Sequence, residues 1–132
     1  MLEEAREIVR NTEIVDKRYY FRTGPPPSSF QFLIPSQAKM ITQIYQCYGS
    51  YISKNEVMQI IERVMKAKGS ELNEYILKSL PGLNLFFDRS LNKTFTVMTH
   101  SLGNNLIDEF ELNGAVSKTK LESIIRRAFA EL

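Results

Sequence analysis

The two residue types most often used in catalysis, histidine and cysteine, each occur once in this chain, as His100 and Cys47. Histidine catalysis requires a nucleophile and an orienting group nearby, and the sequence identifies neither for His100. A solvated or locally hydrogen-bonded histidine is the simpler interpretation. Cys47 lies in a predicted helix beside Tyr45 and Tyr48, where a buried cysteine usually acts as a small apolar side chain.

Asp108, Glu109 and Glu111 form an acidic cluster that could bind a hard cation. Consecutive carboxylates point in different directions, however, and no calcium-loop spacing surrounds them, so a solvated acidic turn is the better interpretation. The chain also lacks a glycine-rich phosphate loop, a zinc-protease motif and a nucleophile elbow. The sequence therefore predicts a non-enzymatic protein with no catalytic residues, no cofactor and no metal.

Residues 17–22, Lys-Arg-Tyr-Tyr-Phe-Arg, interleave basic and aromatic side chains, a combination that stacks on bases and pairs with phosphates. The competing interpretation is a strand with buried aromatic side chains and solvated cations. The net charge of +2 is smaller than a strongly basic nucleic-acid binder would have. A nucleic-acid-binding regulator is accordingly the alternative function. Its predicted contact residues are Lys17, Arg18, Arg22, Arg63, Arg126 and Arg127.

An internal repeat organises the elements that carry these residues. Residues 52–66 and 116–130 match at an offset of 64. The matching pairs are Ser53 and Ser117, Lys54 and Lys118, Ile60 and Ile124, Ile61 and Ile125, and Arg63 and Arg127. Aromatic-rich segments precede both copies, which predicts a tandem pseudo-repeat of helix–β-hairpin–helix–helix over about 1–68 and 69–132. The expected fold is one α+β domain, an antiparallel sheet with the helices packed on one side.

Hydrophobic periodicity and turn residues give the individual elements. The predicted helices are 2–11, 37–48, 54–67, 71–80 and 118–131, and the predicted strands are 17–22, 30–34, 84–88 and 94–99. Residues 103–112 fit either a helix or a third strand in the second repeat, and the sequence does not decide between the two. Ser36, Ser53 and Ser117 are predicted N-caps, with Glu56 completing a capping box. Residues 24–27, Gly-Pro-Pro-Pro, form a stiff hairpin tip.

The 37–48 helix is apolar on most of its circumference, which is typical of a helix buried centrally or at an interface. With 43% hydrophobic and 24% charged residues, the chain has a globular composition. No apolar run approaches the roughly 20 residues of a membrane span, so a cytoplasmic protein without a membrane partner is expected. The predicted function is that of an adaptor, assembly factor or regulator that binds another protein or a second copy. Its predicted interface residues are Met40, Ile44, Tyr45, Cys47 and Tyr48.

Overall fold

The structure of the protein is a computed structural model that describes residues 1–12, 33–67 and 92–130. These residues form five helices. The helices are α1 (Leu2–Arg10), α2 (Leu33–Cys47), α3 (Lys54–Ala67), α4 (Asn92–Asn113) and α5 (Lys118–Ala130). No strand occurs within the described ranges. Within the same ranges, no helix combines the length and the apolar character required to cross a bilayer.

The predicted α+β fold with an antiparallel sheet is therefore wrong for the part of the chain that the structure describes. Residues 94–99, predicted as a strand, lie within α4, and Leu33 and Ile34 of predicted strand 30–34 lie within α2. The open segment 103–112 is helical. Predicted strands 17–22 and 84–88, predicted helix 71–80, the 24–27 tip and the boundary at residue 68 lie outside the described residues.

The error at 94–99 has a clear physical origin. Phe95 and Val97 alternate with polar Thr96, which is the pattern of a half-buried strand. In the structure Phe95, Met98 and Thr99 are buried, whereas Val97 is 61% exposed. A burial pattern with steps of three and four residues is that of a helix, so tertiary packing overrides the β-propensity of this segment.

The helix ends predicted from local signals are largely confirmed. Ser53 Oγ accepts a hydrogen bond from the Glu56 amide at 3.1 Å, and Ser117 Oγ accepts one from the Lys120 amide at 3.1 Å. The prediction that Ser36 caps α2 is wrong, because α2 begins at Leu33. Pro35 is tolerated there, since amides in the first helical turn have no partner within the helix.

Both halves contain the same connection between two helices. Gly49 follows α2 with φ +70°, and Gly114 follows α4 with φ +76°, the left-handed conformation that glycine adopts without strain. Each glycine is followed by a serine-capped helix, α3 or α5. This helix–glycine–helix part of the predicted repeat is present, although the hairpins assigned to it are absent from the described ranges.

Contacts between helices define how the bundle is arranged. α2 packs against α1, α3 and α4, while α5 packs against α3 and α4, and α1 also packs against α4. Gln37 Nε2 donates to Thr99 Oγ1 at 3.0 Å and Tyr48 stacks on Phe110, so α2 and α4 run parallel. The Thr12 carbonyl lies 3.1 Å from His100 Nε2, so α1 runs antiparallel to α4.

These directions bring one set of helix ends together. α3 and α5 run parallel, since Glu56 pairs with Lys118 at their starts and Arg63 pairs with Glu122 further along. The ends of α2 and α4 and the starts of α1, α3 and α5 therefore lie at one end of the bundle, which we call the apical end. The largest fully buried side chains between the helices are Phe95, Phe110, Phe129, Met40, Ile41, Ile44, Ile61, Leu102 and Leu106.

Candidate functional site

Three of the five predicted interface residues belong to the core. Met40, Ile44 and Tyr45 are buried, whereas Cys47 and Tyr48 are half-buried and pack against the core at the apical end. The apolar circumference of α2 is thus covered mainly by α1, α3 and α4 of the same chain. The periodicity of the sequence predicts that α2 is buried on most sides, but it does not predict whether the same chain or a partner buries it. Only Cys47 and Tyr48 retain the exposure that their predicted role requires.

Tyr45 and Tyr48 hold the apical ends of α2 and α4 together. Tyr48 stacks on Phe110 with ring centroids 4.7 Å apart, and Tyr45 meets the same ring edge-on at 4.9 Å. The Tyr45 hydroxyl donates to the Val116 carbonyl at 3.0 Å, and the Tyr48 hydroxyl donates to the Glu111 carboxylate at 2.8 Å. Burial raises the pKa of each phenol to about 12, and the hydrogen bond to Glu111 adds to the effect at Tyr48.

The apical end carries most of the exposed large apolar side chains in the described ranges. Tyr51, in the turn between α2 and α3, is 83% exposed, and Leu112, in the last turn of α4, is 79% exposed. Met1 and Leu2 are also exposed and lie at this end because α1 is antiparallel to α4. We call Leu2, Tyr51 and Leu112 the apical surface. This surface could not be predicted from the sequence, because its members come from three separate elements.

Acidic side chains flank the apical surface on the side formed by α1 and α4. Glu3 and Glu4 are exposed in the first turn of α1, and Asp108 and Glu111 are exposed in the last turns of α4. The acidic cluster predicted to lie in a turn is therefore helical. Its carboxylates also have separate partners, since Asp108 lies 3.3 Å from Arg6 and Glu111 accepts the Tyr48 hydrogen bond.

A groove with a volume of about 660 Å³ runs between α1 and α2. Its lining residues are Glu4, Glu7, Ile8, Asn11, Thr12, Ser36, Lys39, Met40, Gln43 and Cys47. Burial, and secondarily the Glu4 carboxylate, raises the pKa of the Cys47 thiol. A raised pKa reduces the thiolate fraction at neutral pH, so Cys47 is a poor nucleophile there. The groove is a mixed polar and apolar surface in which Glu4 and Glu7 oppose Lys39.

The structure brings together two of the predicted nucleic-acid contacts. Arg63 of α3 lies 3.0 Å from Glu122 of α5, and Arg126 lies 3.2 Å from the other oxygen of the same carboxylate. Arg127 is exposed on α5 next to Arg126. The remaining predicted contacts, Lys17, Arg18 and Arg22, lie outside the described residues. The sequence grouped Arg63 and Arg126 among the predicted nucleic-acid contacts but could not show that one carboxylate joins them.

His100 lies within α4 rather than after a strand, and its Nε2 is 3.1 Å from the Thr12 carbonyl. This contact connects the end of α1 to the middle of α4, so His100 makes a long-range contact rather than the solvated or local one predicted for it. Across the described part of the chain, no group of three or more His, Cys, Asp or Glu side chains is placed to hold a metal ion. Comparisons with protein-family models, curated proteins and solved structures found no match to this chain.

Proposed function

We propose that this protein is a non-enzymatic, cytoplasmic interaction protein that binds another protein through the apical surface. The proposal rests on one observation. Of the five exposed large apolar side chains among the described residues, four lie at the apical end, and only Val97 does not. Single exposed apolar residues are ordinary on protein surfaces, but a concentration of them at one place marks an interaction site.

Charge around the apical surface indicates the chemistry of the partner. Glu3, Glu4 and Glu111 lie beside Leu2 and Leu112, so this side of the surface attracts Lys and Arg. A partner segment that presents apolar anchors flanked by basic residues is complementary to it, as in a basic amphipathic helix. The neighbouring groove extends the same character on its α1 side, since its lining includes Glu4, Glu7 and apolar Ile8, with Lys39 on the α2 side.

The same charges argue against self-association through this surface. In a two-fold symmetric dimer whose axis passes between Leu2 and Leu112, the acidic residues of α1 and α4 beside the axis would face their own copies. Like charges placed opposite one another across an interface disfavour that pairing. A different protein is therefore the better occupant of the apical surface than a second copy of this chain.

A pair of synthetic peptides tests this proposal. We expect an amphipathic Leu/Lys helix to bind, measured by fluorescence anisotropy, and its Leu/Glu counterpart to bind at least about tenfold more weakly. Combining Tyr51→Ser with Leu112→Ser should weaken binding of the basic peptide about tenfold or more, because the central apolar anchors of an interface supply most of its binding energy.

Val97→Ser is the control, since it removes a 61% exposed apolar side chain outside the apical end. It should leave the peptide affinity unchanged. Equal binding of both peptides, or equal weakening by the control, would contradict the proposal. Sedimentation that reveals a dimer abolished by Leu112→Ser would assign the apical surface to self-association instead.

A further inference from the structure

We propose that the outer face shared by α3 and α5 binds the phosphate backbone of nucleic acid. These two helices together carry seven Lys and Arg residues and three Glu residues, whereas the whole chain has a net charge of only +2. The basic residues are Lys54, Arg63, Lys66, Lys118, Lys120, Arg126 and Arg127. The other three described helices carry four basic and six acidic residues. Positive charge is thus concentrated on one pair of helices. Lys54, Lys118 and Lys120 lie at their apical starts, and Arg63, Lys66, Arg126 and Arg127 lie toward the opposite end.

Two of these cations, Arg63 and Arg126, meet where α3 and α5 pack together. Arg63 and Arg126 both contact Glu122, Lys66 follows Arg63 by three residues on the same face of α3, and Arg127 follows Arg126. We call Arg63, Lys66, Glu122, Arg126 and Arg127 the basic seam. The helices run parallel, so Lys66 and Arg126 lie at the same end of the seam.

The basic seam holds its guanidinium groups outward. The Arg63 and Arg126 side chains are 67% and 61% exposed, whereas the Glu122 side chain between them is only 26% exposed. The carboxylate therefore lies beneath the two guanidinium groups. Each guanidinium has five N–H donors, more than its contacts with Glu122 use, so both can pair with phosphate oxygens.

Two features favour nucleic acid over an anionic membrane. Among the described residues, neither α3 nor α5 exposes a large apolar side chain that could insert into a bilayer. The seam is also a line of charges along two parallel helices, which suits the regular phosphates of a strand. With no exposed aromatic side chain on α3 or α5 to stack on bases, recognition would be of the backbone and independent of sequence.

Fluorescence anisotropy with a labelled DNA duplex of about 20 base pairs, and with a single-stranded RNA of equal length, tests this surface across a salt series. We expect binding at low salt with a steep loss as salt rises. Arg63→Gln combined with Arg126→Gln should weaken binding about tenfold or more and reduce the slope of log K against log salt by about two.

Glu122→Gln provides the opposite test, because it removes the one acidic charge of the seam and leaves the arginines in place. It should strengthen binding about threefold or more. The matched control is Arg10→Gln with Lys93→Gln, which removes two exposed charges from α1 and α4. This control should change the affinity less than about twofold. Circular dichroism melting establishes that all variants remain folded.

Failure to bind either nucleic acid at low salt would overturn the proposal. Equal weakening by the control pair would do the same, because it would show that net charge and not the basic seam drives binding. Binding to phosphatidylserine vesicles is measured in the same way, to test an anionic membrane as the partner. If they bind with the same dependence on Arg63, Glu122 and Arg126 while the nucleic acids do not, the seam recognises membranes and the assignment to nucleic acid is wrong.

Discussion

Gly103 of α4 lies close to side chains of α1 and α2. A Cβ atom added to Gly103 would lie 2.6 Å from Val9 Cγ2 of α1 and 2.9 Å from Met40 Sδ of α2. Met40 is flexible, but the branched Val9 side chain on a helix has few alternative rotamers. Overpacking of this kind costs about 1–3 kcal/mol, while alanine gains up to about 1 kcal/mol over glycine in helix propensity.

We therefore expect Gly103→Ala to lower the free energy of unfolding by about 1–2 kcal/mol in urea denaturation. The matched background is Val9→Ala, which removes the Cγ2 atom nearest to the new methyl group and leaves only the flexible Met40 side chain to move aside. In that background Gly103→Ala should be neutral or stabilising. If the losses in unfolding free energy from Gly103→Ala and Val9→Ala simply add in the double variant, the contact between Gly103 and Val9 does not cause the destabilisation.

Single residues were predicted well from sequence where their partners are local. Ser53 and Ser117 bond to amides three residues away, so the sequence around each cap contains all the information required. The contacts that the sequence could not supply are long-range. Glu56 was predicted to complete a capping box, and the structure pairs its carboxylate with Lys118 at the start of another helix. That pair exists only because α3 and α5 lie side by side.

At the scale of elements, helices with a clear amphipathic stripe were predicted with nearly correct ends. The predicted 54–67 and 118–131 helices correspond to Lys54–Ala67 and Lys118–Ala130. α4 was missed because its first six residues are rich in Phe, Thr and Val, which favour strands. The helical signal was present over a longer window, as Phe95, Leu102, Leu106 and Phe110 share one face. Reading 94–99 and 103–112 as separate segments concealed it.

The two capped helix starts provide a prediction about how these elements are coupled. Ser53→Ala and Ser117→Ala should each lower the free energy of unfolding by about 1 kcal/mol, because each leaves an amide without its acceptor. The Glu56–Lys118 ion pair joins the same two starts. Fraying of either start disrupts this shared contact, so the double substitution should cost less than the sum, by at least about 0.5 kcal/mol.

Urea denaturation of the single and double serine variants measures this coupling. Lys118→Met is the control background, because it removes the cation that joins the two helix starts. The effects of the two serine substitutions should become additive there. Additivity in the original background, or coupling that persists after Lys118→Met, would show that the two caps act independently of this ion pair.

Acidic and basic residues are distributed unevenly over the whole molecule. Acidic residues of α1 and α4 border an exposed apolar end, and the basic residues concentrate on α3 and α5. This separation allows the apical surface and the basic seam to bind different partners at once. The net charge of +2 does not indicate this separation, because it sums all charges of the chain. Which charges share a surface depends on how the helices pack. The same packing covers Met40, Ile44 and Tyr45, which the sequence alone assigned to an interface.

Stability at alkaline pH depends on how Tyr45 joins the two halves of the bundle. Its buried hydroxyl donates to the Val116 carbonyl, and burial raises its pKa from 10.0 to about 12. The unfolded chain therefore loses this proton near pH 10, whereas the folded chain keeps it until about pH 12. The contribution of this phenol to the free energy of unfolding is therefore fully present below pH 10 and is lost between pH 10 and 12. For a shift of this size that contribution is about 3 kcal/mol.

Urea denaturation across this pH range should show that loss, and Tyr45→Phe should reduce the slope because phenylalanine has no proton to release. Tyr48, whose pKa is also raised to about 12, should contribute a second part of the slope that Tyr48→Phe removes. Tyr51→Phe is the matched control, since Tyr51 is exposed and makes no core contact that the substitution would alter. An identical slope in the Tyr45→Phe and Tyr51→Phe variants would show that alkaline unfolding begins elsewhere, and that the link from α2 to Val116 does not control it.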